Sequence, residues 1–203
     1  MNHYFTNNEN IKSEEKNIKV KIKDTELIFT VDNGVFSKKG LDFGTRTLLE
    51  SIPKLHGQVL DFGCGYGPIG IYIKKNNEVE VDMIDINKRS INLAKKDALL
   101  NKVEVNIFES DIYSNVKNKY DFIITNPPIR IGKQKLYEIL FDAANFLKEK
   151  GELWLVINKD QGAKSLMKDL EEKYKVELIT KNKGFYIIRA INHWHIDCFL
   201  LKL

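Results

Sequence analysis

Sulfur, metal-ligand clusters and long apolar runs are what this sequence lacks. Its 203 residues include two cysteines, Cys64 and Cys198, and neither stands in a zinc-ligand spacing. That argues against a disulfide framework and for a reducing compartment. The four histidines (His3, His56, His193 and His195) include one close pair, but no Cys or carboxylate pattern surrounds it. No apolar run approaches the ~20 residues that span a bilayer, and the first residues lack the apolar stretch of a secretory signal. The expected setting is therefore the cytoplasm, with no membrane partner. Arginine is scarce as well: Arg46, Arg89, Arg130 and Arg189 are the full set, and lysine dominates the net charge of +4. A mild lysine excess suits a nucleic-acid partner but discriminates weakly. Solenoid repeats and low-complexity linkers are absent too. Nothing in the pattern decides between a monomer and a homodimer.

What is present describes an ordinary globular chain. Hydrophobic residues make up 43% and charged residues 30%, enough for one domain with a sizeable core. We read residues 1–203 as a single domain in three parts: a β-rich N-terminal cap (1–47), an alternating core (48–192) and a tail (193–203). In the cap, Ile18-Lys19-Val20-Lys21-Ile22-Lys23 alternates strictly. That predicts a half-buried strand with a basic outer face. Asp24-Thr25-Glu26 predicts a turn, Leu27 to Val31 a returning strand, and Asp32-Asn33-Gly34 a second turn. The cap holds too few apolar residues to fold alone. Its lysine face suits phosphate contact or, equally, the guarding of a solvated edge.

From Thr45 onward the pattern alternates between helical and strand periods. Helices are expected over 45–52, 69–75, 88–100, 136–148 and 163–174, and strands over 58–62, 78–86, 103–108, 120–125 and 151–157. Ile91, Ala94, Ala98 and Leu99 mark one side of the third helix. Two last strands, 176–180 and 185–190, are joined by Lys181-Asn182-Lys183-Gly184. Repeated βαβ units closed by an antiparallel hairpin predict an α/β fold, a doubly wound sheet with helices on both faces.

The apolar run 120–125 leads into Asn126-Pro127-Pro128-Ile129. Neither proline can donate to a ladder, and each fixes its own φ. Pro127 also drives Asn126 out of the helical region. The expected product is a stiff tip at the carboxyl end of a buried strand, where open α/β sheets bind ligands. The tip presents one amide and carbonyls free of ladder bonds. Such acceptors suit the N–H groups of an amine or amide nitrogen whose lone pair must face an electrophile.

The first core strand ends in Asp61-Phe62-Gly63-Cys64-Gly65-Tyr66-Gly67-Pro68. Alternate glycines allow a tight turn and close ligand approach. The dinucleotide pattern G-x-G-x-x-G would need glycine where Pro68 stands, which disfavours a pyrophosphate seat. Asp61 adds negative charge, wrong for phosphate and right for an ammonium or sulfonium. Asp85 ends the second strand, 22 residues after Gly63, placed to accept both hydroxyls of a ribose. Ile86 beside it is placed to cover an adenine face. Asp111 ends the third strand, where an acid can accept from an adenine amine. Singly, each acid also reads as a turn former or a helix cap. At successive strand ends beside a glycine turn, they read together as a nucleoside site.

These stretches resemble the class I S-adenosylmethionine-dependent methyltransferases, in the small-domain type of the bacterial 16S rRNA guanine-N2 methyltransferases and their single-domain relatives. The resemblance is carried by Gly34-Val35-Phe36-Ser37, Leu41-Asp42-Phe43-Gly44-Thr45, the glycine turn, Asp85, Ser110-Asp111, Asn126 to Arg130 and Gly184 to Ala190. It implies a Rossmann-like methyltransferase sheet, S-adenosyl-L-methionine as cofactor, and RNA, in ribosomal RNA or the small subunit, as partner. It further implies that Gly63, Gly65 and Gly67 line the methionine part, while Asp85 takes the ribose and Asp111 the adenine amine. Asn126 with the Pro127 carbonyl would hold the target nitrogen, with Pro128, Ile129 and Arg130 against the substrate. Many relatives carry an aromatic residue after the proline pair, where this chain has Ile129. His193 to Leu203 has no counterpart in the pattern.

The implied reaction is direct displacement, which needs neither a metal nor a covalent intermediate. Guanine N2 is a poor nucleophile. Accepting both its N–H bonds orients it and stabilises the positive charge that grows on it, once the base has left its stack. The same tip serves other acceptors: the glutamine amide of a translation factor, where Tyr typically follows the prolines, and adenine N6, where an aromatic does. Ile129 tilts the choice toward guanine N2. A non-catalytic RNA-binding relative is a further alternative, and a nucleotide-dependent oxidoreductase is disfavoured by Pro68.

Overall fold

The computed structural model describes residues 12–33, 35, 37, 40–128 and 131–193. The substrate contacts expected of Ile129 and Arg130, and the tail beyond His193, lie outside the described residues.

Two strands open the chain, β1 (Lys16–Ile22) and β2 (Thr25–Val31), paired antiparallel as a separate sheet. Alternation sorts their side chains: Val20, Ile22, Leu27 and Phe29 are buried, while Lys16, Lys19 and Lys21 face solvent. The turn between them is tighter than expected, because Thr25 and Glu26 already pair with Ile22 and Lys21.

Helix side chains dock this hairpin. In α3 (Lys88–Leu100), both carboxylate oxygens of Asp97 lie 2.9 Å from the Thr30 N–H. Asn101, just past the helix, accepts the Ile28 N–H at 3.0 Å and donates to the Ile28 carbonyl at 2.7 Å. The edge of β2 is thus satisfied without joining another strand. Burial raises the Asp97 carboxyl to about 6. Asp97 also decides how α3 is turned. Ile91, Ala94 and Ala98 face inward as expected, but Leu99 lies about a third of a turn from that stripe and is 80% exposed.

The main sheet has seven strands: β3 (Gly57–Phe62), β4 (Val79–Asp85), β5 (Asn106–Glu109), β6 (Tyr120–Thr125), β7 (Leu147–Asn158), β8 (Tyr174–Asn182) and β9 (Phe185–Asn192), in the order β5-β4-β3-β6-β7-β9-β8. Strands β3 to β7 run parallel and β9 runs antiparallel to both its neighbours. The helices are α1 (Phe43–Ser51), α2 (Pro68–Asn76), α3, α4 (Lys133–Phe146) and α5 (Ala163–Leu170), with a 3-10 turn at Lys159–Gln161. The doubly wound sheet and its closing hairpin, expected from the alternation, are both present.

Each central strand feeds two cores. Val59, Phe122 and Trp154 pack with the cap and α1 to α3 on one face; Leu60, Ile123 and Leu155 pack with α4 and α5 on the other. That two-sided burial is why these strands read as unbroken apolar runs. Strand β5 starts later than expected because the Val103 N–H instead closes the end of α3 on the Ala98 carbonyl, 3.0 Å away. Helix α5 stops short because Tyr174 turns inward, donating to the Leu140 carbonyl at 2.7 Å as β8 begins.

Strand β3 lies between β4 and β6. The strand order reverses there, which opens a crevice above the carboxyl ends of β3 and β6. Asp61 pairs with Ile124, so that register, continued, sets Gly63 level with Asn126. The buried Thr125 hydroxyl donates to the Phe62 carbonyl at 2.9 Å and ties the two strand ends together.

Candidate active site

A cavity of about 520 Å³ occupies this crevice. Its floor is the glycine turn. Gly63 and Gly65 take φ of +70° and +56°, and a Cβ on either would meet no heavy atom of the described residues within 4 Å. They therefore leave a cradle of bare backbone open to the cavity. Gly67 behaves differently. A Cβ there would sit 2.9 Å from Ile71 Cδ1 and 3.0 Å from Met83 Cε. Among the described residues Gly67 is not part of the cavity wall; it allows α2 to pack on β4, with Pro68 as the first helical residue. The expected methionine contact of Gly67 is corrected to a packing role.

Asp61 is corrected as well. Its side chain points away from the cavity, is fully buried, and accepts the Gly70 N–H at 2.8 Å in the first turn of α2. Its other oxygen has no hydrogen-bond partner among the described residues. Burial, with Asp85 nearby, raises the carboxyl to about 7. Strand alternation explains the difference: Phe62, the next residue, faces the cavity in its place. Cys64 lines the wall, but burial holds its thiol protonated, so it offers no thiolate.

Asp85 stands where expected. One carboxylate oxygen accepts the Gly65 N–H at 2.9 Å and the other accepts the Asn87 N–H at 2.8 Å. Desolvation raises its pKa. The residue braces the glycine turn against the start of α3 while facing the cavity. Ile86 and Asp111 also line the wall, Asp111 exposed and 3.9 Å from the Lys135 ammonium.

At the opposite end of the cavity stand Asn126, Pro127 and Pro128. Asn126 Nδ2 donates to Thr45 Oγ1 at 2.9 Å and to Asp42 Oδ1 at 3.3 Å. A carboxylate only accepts, so the amide nitrogen is the atom that faces Asp42, which leaves Oδ1 as the acceptor of the amide. Asp42 is the N-cap of α1 and also accepts the Thr45 N–H at 3.0 Å. The helix therefore starts two residues earlier than expected, and its capping group doubles as the clamp on the amide. The same end is walled by Phe43 and Phe185, rings 5.8 Å apart and inclined at 47°. Asp42, Thr45, Phe43 and Phe185 stood in the sequence without assigned roles. The spacing Asp42-x-x-Thr45 at a helix start was the signal for the cap.

The basic face of β1 is exposed beside α1, where Arg46 donates to the Lys21 carbonyl at 2.6 Å. Among the described residues no helix is long and apolar enough to cross a membrane.

Comparison with known proteins agrees with this geometry. The methyltransferase small domain family matches residues 26–189. The uncharacterized protein YbxB of Bacillus subtilis is 42% identical over 195 residues, covering 93% of this chain and 97% of that protein. Ribosomal RNA small subunit methyltransferase C of Psychromonas ingrahamii is 39% identical over 150 residues, covering 71% of this chain but only 43% of that enzyme. The chain thus spans less than half the length of that ribosomal RNA methyltransferase. Among solved structures, a 16S rRNA N2 methyltransferase of T. thermophilus, in complex with AdoMet and guanosine, superposes with a TM-score of 0.78 at 24% identity, covering 90% of this chain and 52% of that one. That likeness is one of fold. With the family matched across most of its length, the chain belongs to the methyltransferase small domain family and is an S-adenosylmethionine-dependent methyltransferase.

Proposed function

We propose that this chain methylates the exocyclic N2 of a guanine in 16S ribosomal RNA. The observation that carries the reading is the clamped amide: Asn126 lines the cavity and its Nδ2 is held by Asp42 and Thr45, which leaves Oδ1 as the acceptor of the amide. A fixed acceptor is what an amine with two N–H bonds requires. The relatives named as ribosomal RNA small subunit methyltransferases, and the net charge of +4, support RNA as the carrier of that amine. A cytoplasmic location, and the division into cap 1–47, core 48–192 and tail 193–203, belong to the same reading.

The residues present fit the cofactor. The open cradle at Gly63 and Gly65 would hold its methionine part, Asp85 and Ile86 the ribose and adenine, and Asp111 the adenine amine. When bound, S-adenosyl-L-methionine supplies a methyl group on a positive sulfur, which keeps the bonding pair as a neutral thioether while the nitrogen lone pair forms the new N–C bond and one nitrogen proton passes to water. Asn126 Oδ1 and the Pro127 carbonyl accept the two N–H bonds of the target. They turn its lone pair away from the ring and stabilise the positive charge developing on nitrogen. The proline pair keeps the Pro127 carbonyl rigid and the bonds to Asp42 and Thr45 fix the amide, so little reorganisation accompanies reaction.

The test is transfer of tritium from labelled cofactor to small-subunit particles, free 16S rRNA and a release factor, each offered separately. Label in guanine N2 of the RNA is expected. Asn126→Ala should abolish transfer while calorimetry shows donor binding intact, and Asp85→Ala should weaken donor binding at least ten-fold. Label confined to the release factor would replace guanine with a glutamine amide as the acceptor.

A further inference from the structure

We infer that Phe43 and Phe185 form the seat for the acceptor base, with Lys183 above them as a contact for an adjoining phosphate. This rests on the RNA reading above. Both rings line the cavity beside Asn126, and both are only partly buried. They meet at 47° with centroids 5.8 Å apart, forming an inclined aromatic wall rather than a closed stack. A base drawn out of RNA loses its stacking partners and needs a flat, apolar replacement.

The local chain is shaped to hold this wall. Lys183 and Gly184 form the two-residue turn between β8 and β9, at φ +45° and +83°, the pattern of a type I′ hairpin. The turn is pinned by the Lys159 N–H, which donates to the Gly184 carbonyl at 2.7 Å. Phe185 follows at once and packs against Gly44 in the first turn of α1. A Cβ on Gly44 would stand 3.0 Å from two of its ring carbons. The Lys183 ammonium sits 5.0 Å from the centre of the Phe43 ring, and Lys159 Cε would stand 3.7 Å from a Cβ at Gly184. Charge at the rim and rings inside match one nucleotide, its phosphate outside and its base within.

The experiment compares wild type, Phe43→Leu, Phe185→Leu, Phe43→Tyr and Lys183→Ala on whichever RNA substrate the wild type labels. Leucine keeps apolar bulk and removes the ring. Each Leu variant is expected to lose roughly ten-fold or more in kcat/KM for RNA, with donor affinity and melting temperature near wild type; Phe43→Tyr, which keeps the ring, should lose less than Phe43→Leu. Lys183→Ala should lower the slope of log(kcat/KM) against log salt by about 0.7–0.9, the signature of one lost phosphate contact. If wild type labels RNA but both Leu variants stay within two-fold of it, the aromatic seat is wrong and the RNA reading stands. If wild type transfers nothing to RNA, both fall.

Discussion

Replacing Thr45 with valine tests the amide clamp without touching the amide. Thr45 is 2% exposed, and its hydroxyl accepts from Asn126 Nδ2 at 2.9 Å. Valine fills nearly the same volume and removes that acceptor. The backbone N–H of residue 45 still reaches Asp42, so the start of α1 survives. What remains on the amide is Asp42 Oδ1 at 3.3 Å, a charged but long contact. A neutral hydrogen bond is worth about 1 kcal/mol net, so global stability should drop by about that much. The same energy, lost from the population of correctly turned amides, corresponds to a roughly five- to ten-fold fall in turnover. Donor affinity should not move, because Thr45 lies at the acceptor end of the cavity. Single-turnover tritium transfer, donor calorimetry and urea denaturation measure the three quantities separately, with Thr45→Ser as the control that keeps a hydroxyl. Equal turnover in the Val and Ser variants would refute the clamp. A parallel loss of donor affinity would show that Thr45 acts through the cofactor instead.

The glycine turn and its buried acid make distinct predictions. Gly63→Ala projects into the cavity, so donor affinity should fall at least ten-fold in calorimetry with a stability loss of about 1 kcal/mol from the positive φ. Gly67→Ala should do the reverse: overpacking against Ile71 and Met83 costs about 1–3 kcal/mol, read as a lower urea midpoint, while the folded fraction still binds donor. For Asp61, an acid raised from 3.8 to about 7 by burial binds its proton more tightly folded than unfolded. Its contribution is favourable at low pH and is lost as pH climbs through that range, up to roughly 4 kcal/mol. Asp61→Asn keeps an acceptor for the Gly70 N–H and cannot ionise, so its stability relative to wild type should rise between pH 5 and pH 8. Urea curves that shift in parallel would remove Asp61 as a titrating group.

The fold was legible where burial imposes a period. Residues 120–125 and 88–100 were expected at the bounds they adopt, because a strand buried on both faces and an amphipathic helix announce themselves locally. Ends were harder where a distant group decides them. Tyr174 leaves its helix for a carbonyl on α4, and Val103 is taken from its strand by the end of α3. Position 99 adjoins the stripe of Ile91, Ala94 and Ala98, yet Asp97 points inward to the edge of β2 and Leu99 is left exposed.

In the site, the limit of sequence reasoning is distance along the chain. Asn126, Asp85 and Gly63 sit at strand ends, so their convergence follows from topology alone. The groups that give Asn126 its direction do not: Asp42 and Thr45 precede it by 84 and 81 residues and meet it because α1 packs beside the crevice. An isolated Asn-Pro-Pro tip would present either face of its amide, and half of those rotamers would offer a donor to a donor. The direction of the Asn126 amide thus resides as much in the cap of a helix as in the strand tip. Motif adjacency misleads in the opposite sense at Asp61 and Gly67. Both belong to the glycine-turn stretch, yet the pleat turns one side chain beneath the sheet end, and the helix packs on the other. In this loop residues 62–66 and Pro68 line the cavity while Asp61 and Gly67 serve the turn and its packing, and only the positions with open space above them remain candidates for contact.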